Sequence, residues 1–221
     1  MLQEKNKKRK GATIVEMLVY AALFGLVFTG IYMVFNASIK YYHVTKSNIW
    51  VQQASLNAIN QLSRELFESS LDSVILYSSS PKGVVFMSPR KTDNTVEYNS
   101  TSGYEGQPYW QKFICYYMYA DPENPAKNMI YRKEIAVTPA SAPYSSSTYT
   151  TSYFATGGGS GLSHKVIAND ISDFDLYWMD GSIKSYGTPS DNPVYISVTA
   201  EDESIGKENT MTTVSSVDVL N

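Results

Sequence analysis

One stretch limits this chain more than any other. From Met17 to Ile39 there are 23 consecutive positions without a charged side chain. As a helix, at about 1.5 Å per residue, such a run can cross roughly 30 Å of hydrocarbon. Ahead of it, residues 1–11 (MLQEKNKKRKG) set Lys5, Lys7, Lys8, Arg9 and Lys10 against Glu4 alone, a net +4. A basic flank before an apolar helix stays in the cytoplasm, so the chain after Lys40 is expected outside the inner membrane. A secretory signal has a shorter apolar core, about 7–15 residues, followed by a small-residue cleavage site. Here the run is longer and passes into a helical pattern instead. A simple anchor fits its length but leaves Glu16 unexplained. A carboxylate at the centre of a membrane helix costs about 2.5–3.5 kcal/mol on insertion scales, less near the interface, and such residues normally have a partner and a use.

The stretch KKRKG-ATIVEMLVYAALFGLVF resembles the class III signal of type IV pilins and pseudopilins. That pattern is a short basic leader ending in glycine, a glutamate at the fifth position after the cut, and a long apolar helix. The resemblance covers about 30 residues and requires all of these features at once. It implies cleavage by a prepilin peptidase between Gly11 and Ala12, with N-methylation of Ala12 by the same enzyme. Glu16 is then the fifth residue after the cut. The family most often places phenylalanine where Ala12 stands. Glycine suits such a site because its bare backbone enters a narrow cleft. Glu16 sits one helical turn from Ala12, where it favours the positive end of the helix dipole. In a filament, the α-amino group of a neighbouring subunit could neutralise it, a pairing that sets register more than it adds stability.

After Lys40 the helical period turns amphipathic. Ile49, Leu56, Ile59, Leu62 and Leu66 recur at spacings of 7, 3, 3 and 4, with Gln52, Gln53, Asn60, Gln61, Arg64, Glu65 and Glu68 largely between them. No proline precedes Pro81, so one helix is expected from about Thr13 to about Tyr77, weakest at Gly25 and Gly30. The remainder reads as β. Strands are expected at Gly83–Ser88, Thr95–Ser100, Tyr109–Ala120, Met129–Val137, Phe174–Met179, Val194–Glu201 and Thr210–Leu220, all rich in Val, Ile, Tyr, Phe and Thr. The segment Asp121–Asn128, with two prolines, reads as a hairpin loop. Residues 138–163 are uncharged and dominated by Ser, Thr, Gly and Tyr, which describes a surface loop; Tyr144, Tyr149, Tyr153 and Phe154 would give it contact area.

The expected organisation is therefore a leader (1–11), a transmembrane or filament-core helix (12–39), an amphipathic helix (40–77) and a β-rich head (78–221). The fold class is α+β, a long helix packed on an antiparallel sheet, as in pilins. The head carries a softer resemblance to J-type minor pseudopilins and PilW-like minor pilins. It rests on the order of Phe113–Tyr119, Met129–Arg132 (MIYR), Ile167–Asp180 and a last strand ending in Asn221. Leu220 stands where that family usually has arginine. A mature chain of about 210 residues is long for the repeated major subunit.

Composition closes other routes. The charged fraction of 18% and hydrophobic fraction of 43% rule out a disordered tail, a collagen-like fibre and a coiled coil. A net charge of -3 divides into +4 before Ala12, -1 through residue 39 and -6 beyond, so the head offers no attraction to nucleic acid. A single cysteine excludes an internal disulfide framework and a Cys-based zinc site. Cys115 reads as a buried inert thiol within a strand. His43 and His164 belong to no metal or catalytic motif and read as surface residues. The run GGGSG at 157–161 lacks the phosphate-binding strand, helix and lysine. Asp170, Asp173 and Asp175 lack calcium-loop spacing and read as a turn entering a strand; Glu201, Asp202 and Glu203 read as a solvated loop.

No enzyme activity, catalytic residue, cofactor, metal or nucleic acid is expected. The resemblance implies a minor pilin or pseudopilin, a structural subunit of a type IV pilus or type II secretion-like pseudopilus, at or near the tip. Met17, Leu18, Leu23, Leu26, Val27, Phe28 and Ile31 belong to its transmembrane helix. Its partners would be the prepilin peptidase, the inner membrane before assembly, and other minor subunits and the major subunit through the N-terminal helix. The head would be periplasmic or extracytoplasmic. The alternative is a membrane-anchored surface protein, adhesin- or receptor-like, using the Tyr/Ser/Gly loop to bind a carbohydrate or protein.

Overall fold

The computed structural model describes residues 13–79, 81–100, 105–141, 164–183, 191–202 and 209–219. Gly11, Ala12, Tyr144, Tyr149, Tyr153, Phe154, residues 157–161, Glu203, Leu220 and Asn221 lie outside the described residues. The protein is α+β, one long apolar N-terminal helix and a curled seven-stranded antiparallel sheet.

Helix α1 spans Ile14–Phe67 without a break. The chain divides into two compact units at Lys46/Ser47, inside this helix. In the first unit every described side chain is exposed except Asn36, which is partly covered. In the second, α1 buries Ser47, Val51, Ser55, Ala58, Ile59, Leu62 and Leu66. That corrects the expected stripe, since Ile49 and Leu56 stay 49% and 36% exposed. Positions 51, 55, 58, 62 and 66 share one face at 3.6 residues per turn, and two of them are small. Ser55 meets the sheet through its hydroxyl, 3.0 Å from that of Thr213, and it also donates to the Val51 carbonyl. A periodicity count over large apolar residues alone misses such a face.

The helix ends at Phe67, ten residues before the expected Tyr77. Ser69 turns its hydroxyl back to the Leu66 carbonyl at 2.6 Å, and Ser73 bonds the Ser70 carbonyl at 2.7 Å. Local serine bonds compete with the helical ladder, and Val74 and Ile75 are β-branched. A 3-10 turn at Leu71–Ser73 therefore leads into a short strand, β1 (Ile75–Tyr77), which sequence reading had placed in the helix.

The other strands are β2 (Gly83–Ser88), β3 (Trp110–Ala120), β4 (Asn128–Ser141), β5 (His164–Trp178), β6 (Val194–Asp202) and β7 (Asn209–Val217). Spatial order follows chain order from β1 to β7, every pair antiparallel. Residues Thr95–Ser100 form no strand. They follow an Asp93–Asn94 turn and make the isolated bridges Arg90↔Val96 and Tyr98↔Pro108, the second through Asn99 N–H to the Gln107 carbonyl and Tyr109 N–H to the Glu97 carbonyl. β5 begins ten residues before the expected Phe174. It opens on His164 and Lys165 and is irregular near Asp170, which takes a left-handed φ of 56°. Asp170, Asp173 and Asp175 thus lie within β5, not in a turn before it.

Alternation sorts the strands onto two faces. Val84, Phe86, Ile114, Tyr116, Ile130, Phe174, Leu176, Trp178, Ile196 and Val198 join Val51, Ile59, Leu62 and Leu66 of the helix in the main core. Val85, Met87, Phe113, Cys115, Tyr117 and Tyr131 form a second cluster on the other face of β2–β4. Gly83 opens β2 against β3 so closely that a Cβ there would come 2.4 Å from the Tyr116 carbonyl oxygen.

Candidate functional site

The helix of the first unit presents an apolar surface from Met17 to Ile39. Met17, Leu18, Leu23, Leu26, Val27, Phe28 and Ile31 are all exposed, Leu26 to 72%. The helix holds an apolar window long enough to cross a membrane, and none of that window is buried. Its two aliphatic hydroxyls between Met17 and Ile39 are satisfied internally. Thr29 donates to the Gly25 carbonyl and Ser38 to the Val34 carbonyl, both at 2.8 Å. That bonding suits hydrocarbon, which offers polar groups no partner.

At the start of the helix, Thr13 and Glu16 close a capping box. The Thr13 N–H donates to Glu16 Oε2 at 2.8 Å, and the Glu16 N–H donates to Thr13 Oγ1 at 3.2 Å. Two orphan N–H groups of the first turn are satisfied in this way. The signal was legible as Thr-x-x-Glu before an apolar run, and it gives Glu16 a local role not read from the sequence. Beyond the apolar run, Lys40, Tyr41, Tyr42, His43 and Lys46 are exposed, an aromatic and basic collar of the kind that sits at headgroup level.

The second unit is held by charge as well as by core. Glu65, in the last turns of α1, accepts from Arg132 Nε at 2.9 Å and from the Tyr116 hydroxyl at 2.9 Å. Arg132 also pairs with Glu134 at 2.6 Å, and Glu134 pairs with Lys112 at 3.0 Å. Glu65 and Arg132 keep only 14% and 13% of their side-chain surfaces exposed. Burial opposes the charge on Arg132, but Glu65 and Glu134 beside it hold its pKa above the usual value. Burial likewise works against the Glu134 carboxylate, yet Lys112 and Arg132 keep its pKa below the usual value. Alongside, Arg90 takes Glu68 with two N–H groups, and this contact lowers the Glu68 pKa. These residues line a cavity of about 240 Å³ in which each acid faces a base. None of this was legible, because Glu65 and Arg132 are 67 residues apart and each reads alone as a solvated charge.

The remaining candidates fall into ordinary places. Cys115 is fully buried, and burial pushes its thiol up to about 12, so it stays protonated. Asp173 and Asp175 both bind Lys82 Nζ at 2.6 Å, and Asp170 binds Lys127. Their carboxylates are committed to lysines. Among the described residues no group of three His, Cys, Asp or Glu could hold a metal. His43 is exposed on the helix; His164 opens β5, exposed, edge-on to Tyr131 at 5.7 Å. Glu201 and Asp202 close β6 instead of forming a loop.

No family model, curated protein or solved structure matches this chain. Function must therefore be argued from the residues themselves.

Proposed function

We propose that this chain is a pilin-like structural subunit, a minor pilin or pseudopilin. It would enter the inner membrane with its N-terminus cytoplasmic, be cut by a prepilin peptidase between Gly11 and Ala12, and assemble through its N-terminal helix at or near the tip of a type IV pilus or type II secretion-like pseudopilus. The head is extracytoplasmic and its work is contact, not catalysis. One observation carries this reading. A helix whose apolar window is wholly exposed starts on a capping box whose acid, Glu16, stands five residues after the glycine that ends a basic segment. An α+β head with a helix packed on an antiparallel sheet agrees with it.

Mass mapping of the N-terminus in cells with and without prepilin peptidase tests the cut. An N-terminus at Ala12 only when the peptidase is present is the expected result; Met1 in both strains would defeat the proposal. The capping box dictates the second test. Glu16→Ala removes both the cap and the charge, whereas Glu16→Gln keeps a side chain that can complete the box. Assembly into filaments should fail in both variants. Normal assembly of Glu16→Gln would show that Glu16 serves only its own helix.

A further inference from the structure

Many charges of the head are committed to ion pairs. Asp121, Glu123, Arg64 and Lys165 make no ion pair among the described residues, although Arg64 lies in the field of Glu68, and these four line two adjoining hollows. The wider one, about 630 Å³, lies among Trp50, Asp121, Glu123, Met129, Tyr131 and His164 and contains no lysine or arginine. Asn57, Val166 and Ile167 are shared with the other, of about 400 Å³, where Arg64 and Lys165 are the charges. The track they form follows α1 from Trp50 to Arg64, roughly 20 Å at 1.5 Å per residue. It is acidic and aromatic at one end, amide-lined by Asn57, Asn60 and Gln61, and basic at the other.

We infer that this track binds a segment of a partner polypeptide with a basic residue at one end and an acidic residue about 20 Å along. Both hollows fall within the size range of ligand pockets, room for several residues of an extended segment. Trp50 is 52% exposed beside two carboxylates and offers a cation an aromatic face and counter-charge together. A free small cation would use only the Trp50 end and would leave Lys165 without a counter-charge. A polypeptide satisfies both ends, and the opposed charges fix its direction. This inference does not rest on the filament proposal; it needs only the folded head.

Trp50 supplies the readout, because Trp110 and Trp178 are buried at 9% and 0% exposure. Full-length protein in neutral detergent is titrated with a nine-residue Ser/Thr peptide carrying two lysines at one end and two glutamates at the other. The expected result is a saturable change in Trp50 emission. Binding should weaken about tenfold with a peptide of the same composition but interleaved charges, and by a similar factor in Asp121→Asn/Glu123→Gln or Arg64→Gln/Lys165→Gln. All four positions are solvent-accessible and circular dichroism checks the fold of each variant. Equal binding of both peptides, wild-type binding by both double variants, or a signal that persists in Trp50→Phe would overturn the inference. So would three results pointing to other occupants: an equal response to choline chloride, a change of Trp50 emission on dilution without peptide (a second copy), or a change on excision of residues 142–163 alone (this chain's own segment).

Discussion

Helix α1 obeys two opposite rules on either side of Lys46. Up to that point apolar residues stand outward on every side; from Ser47 onward one narrow stripe is buried and the rest is mostly polar, with Ile49, Trp50, Leu56 and Phe67 still exposed. Backbone geometry is the same throughout, so secondary structure alone does not separate the two parts. Their surfaces do. The first part is apolar and long enough to cross a membrane, with Thr29 and Ser38 bonded back to the preceding turn and its first N–H groups capped. The second matches a protein interior, where contacts depend on shape, down to Ser55 and Ala58 admitting the sheet. Substitutions that are severe in one part should therefore be mild in the other.

The largest effect is expected in the core of the head. Trp178, fully buried, should cost about 3–5 kcal/mol on replacement by alanine, read as loss of the cooperative thermal transition. Leu26→Ala, at an exposed site, should leave that transition unmoved; equal destabilisation would erase the distinction drawn here. Next comes the buried ion pair. Arg132→Met leaves Glu65 uncompensated and should cost about 3–5 kcal/mol in chemical denaturation, whereas replacing both partners with apolar residues should recover most of it. The reverse experiment puts charge where apolarity rules. Leu26→Arg should reduce membrane insertion by about 2.5–3.5 kcal/mol, scored as the inserted fraction in microsomes, with the head's melting temperature unchanged.

Smaller effects come from titration and capping. Glu68 and Glu134 have folded pKa values below the ordinary 4.5, so their stabilisation is complete above that pH and is lost as pH falls through the lower folded values. The head should melt progressively earlier in acid below about pH 4.5, and Glu134→Gln should flatten that decline. Thr13→Val should cost the helix start about 1 kcal/mol, visible as faster amide exchange in the first turn while the head stays protected.

Much of the architecture was legible because it depends on local pattern. The uncharged run announced the apolar helix, and β-branched and aromatic clusters located β2, β3, β4, β6 and β7 to within a few residues at most of their ends. What escaped depends on particular neighbours. β1 was hidden because Ile75–Tyr77 continue an apolar periodicity that only the serine turn at 69–73 interrupts. The start of β5 was hidden because only three apolar residues, Val166–Ala168, stand between His164–Lys165 and Asn169–Asp170, and the ladder is irregular there. The buried stripe was misjudged at Ile49 and Leu56 because small residues, not large ones, mark the closest approach. The Thr13–Glu16 box was in plain view as a motif. The Glu65–Arg132 network was not, since pairing across 67 residues leaves no local trace.

The sheet order also bears on how the head comes to be. Each strand pairs with the one before it in the chain, and the helix that supplies the other side of the core precedes them all. No pairing has to wait for a distant segment, so the loop-closure entropy spent at each step is small. A chain delivered from its N-terminus, by a ribosome or through a membrane, can add strands in the order they arrive, each on an edge already formed. The cost of that route is a waiting edge at every intermediate stage, so the time between strands is when this protein is most exposed to pairing with the wrong partner.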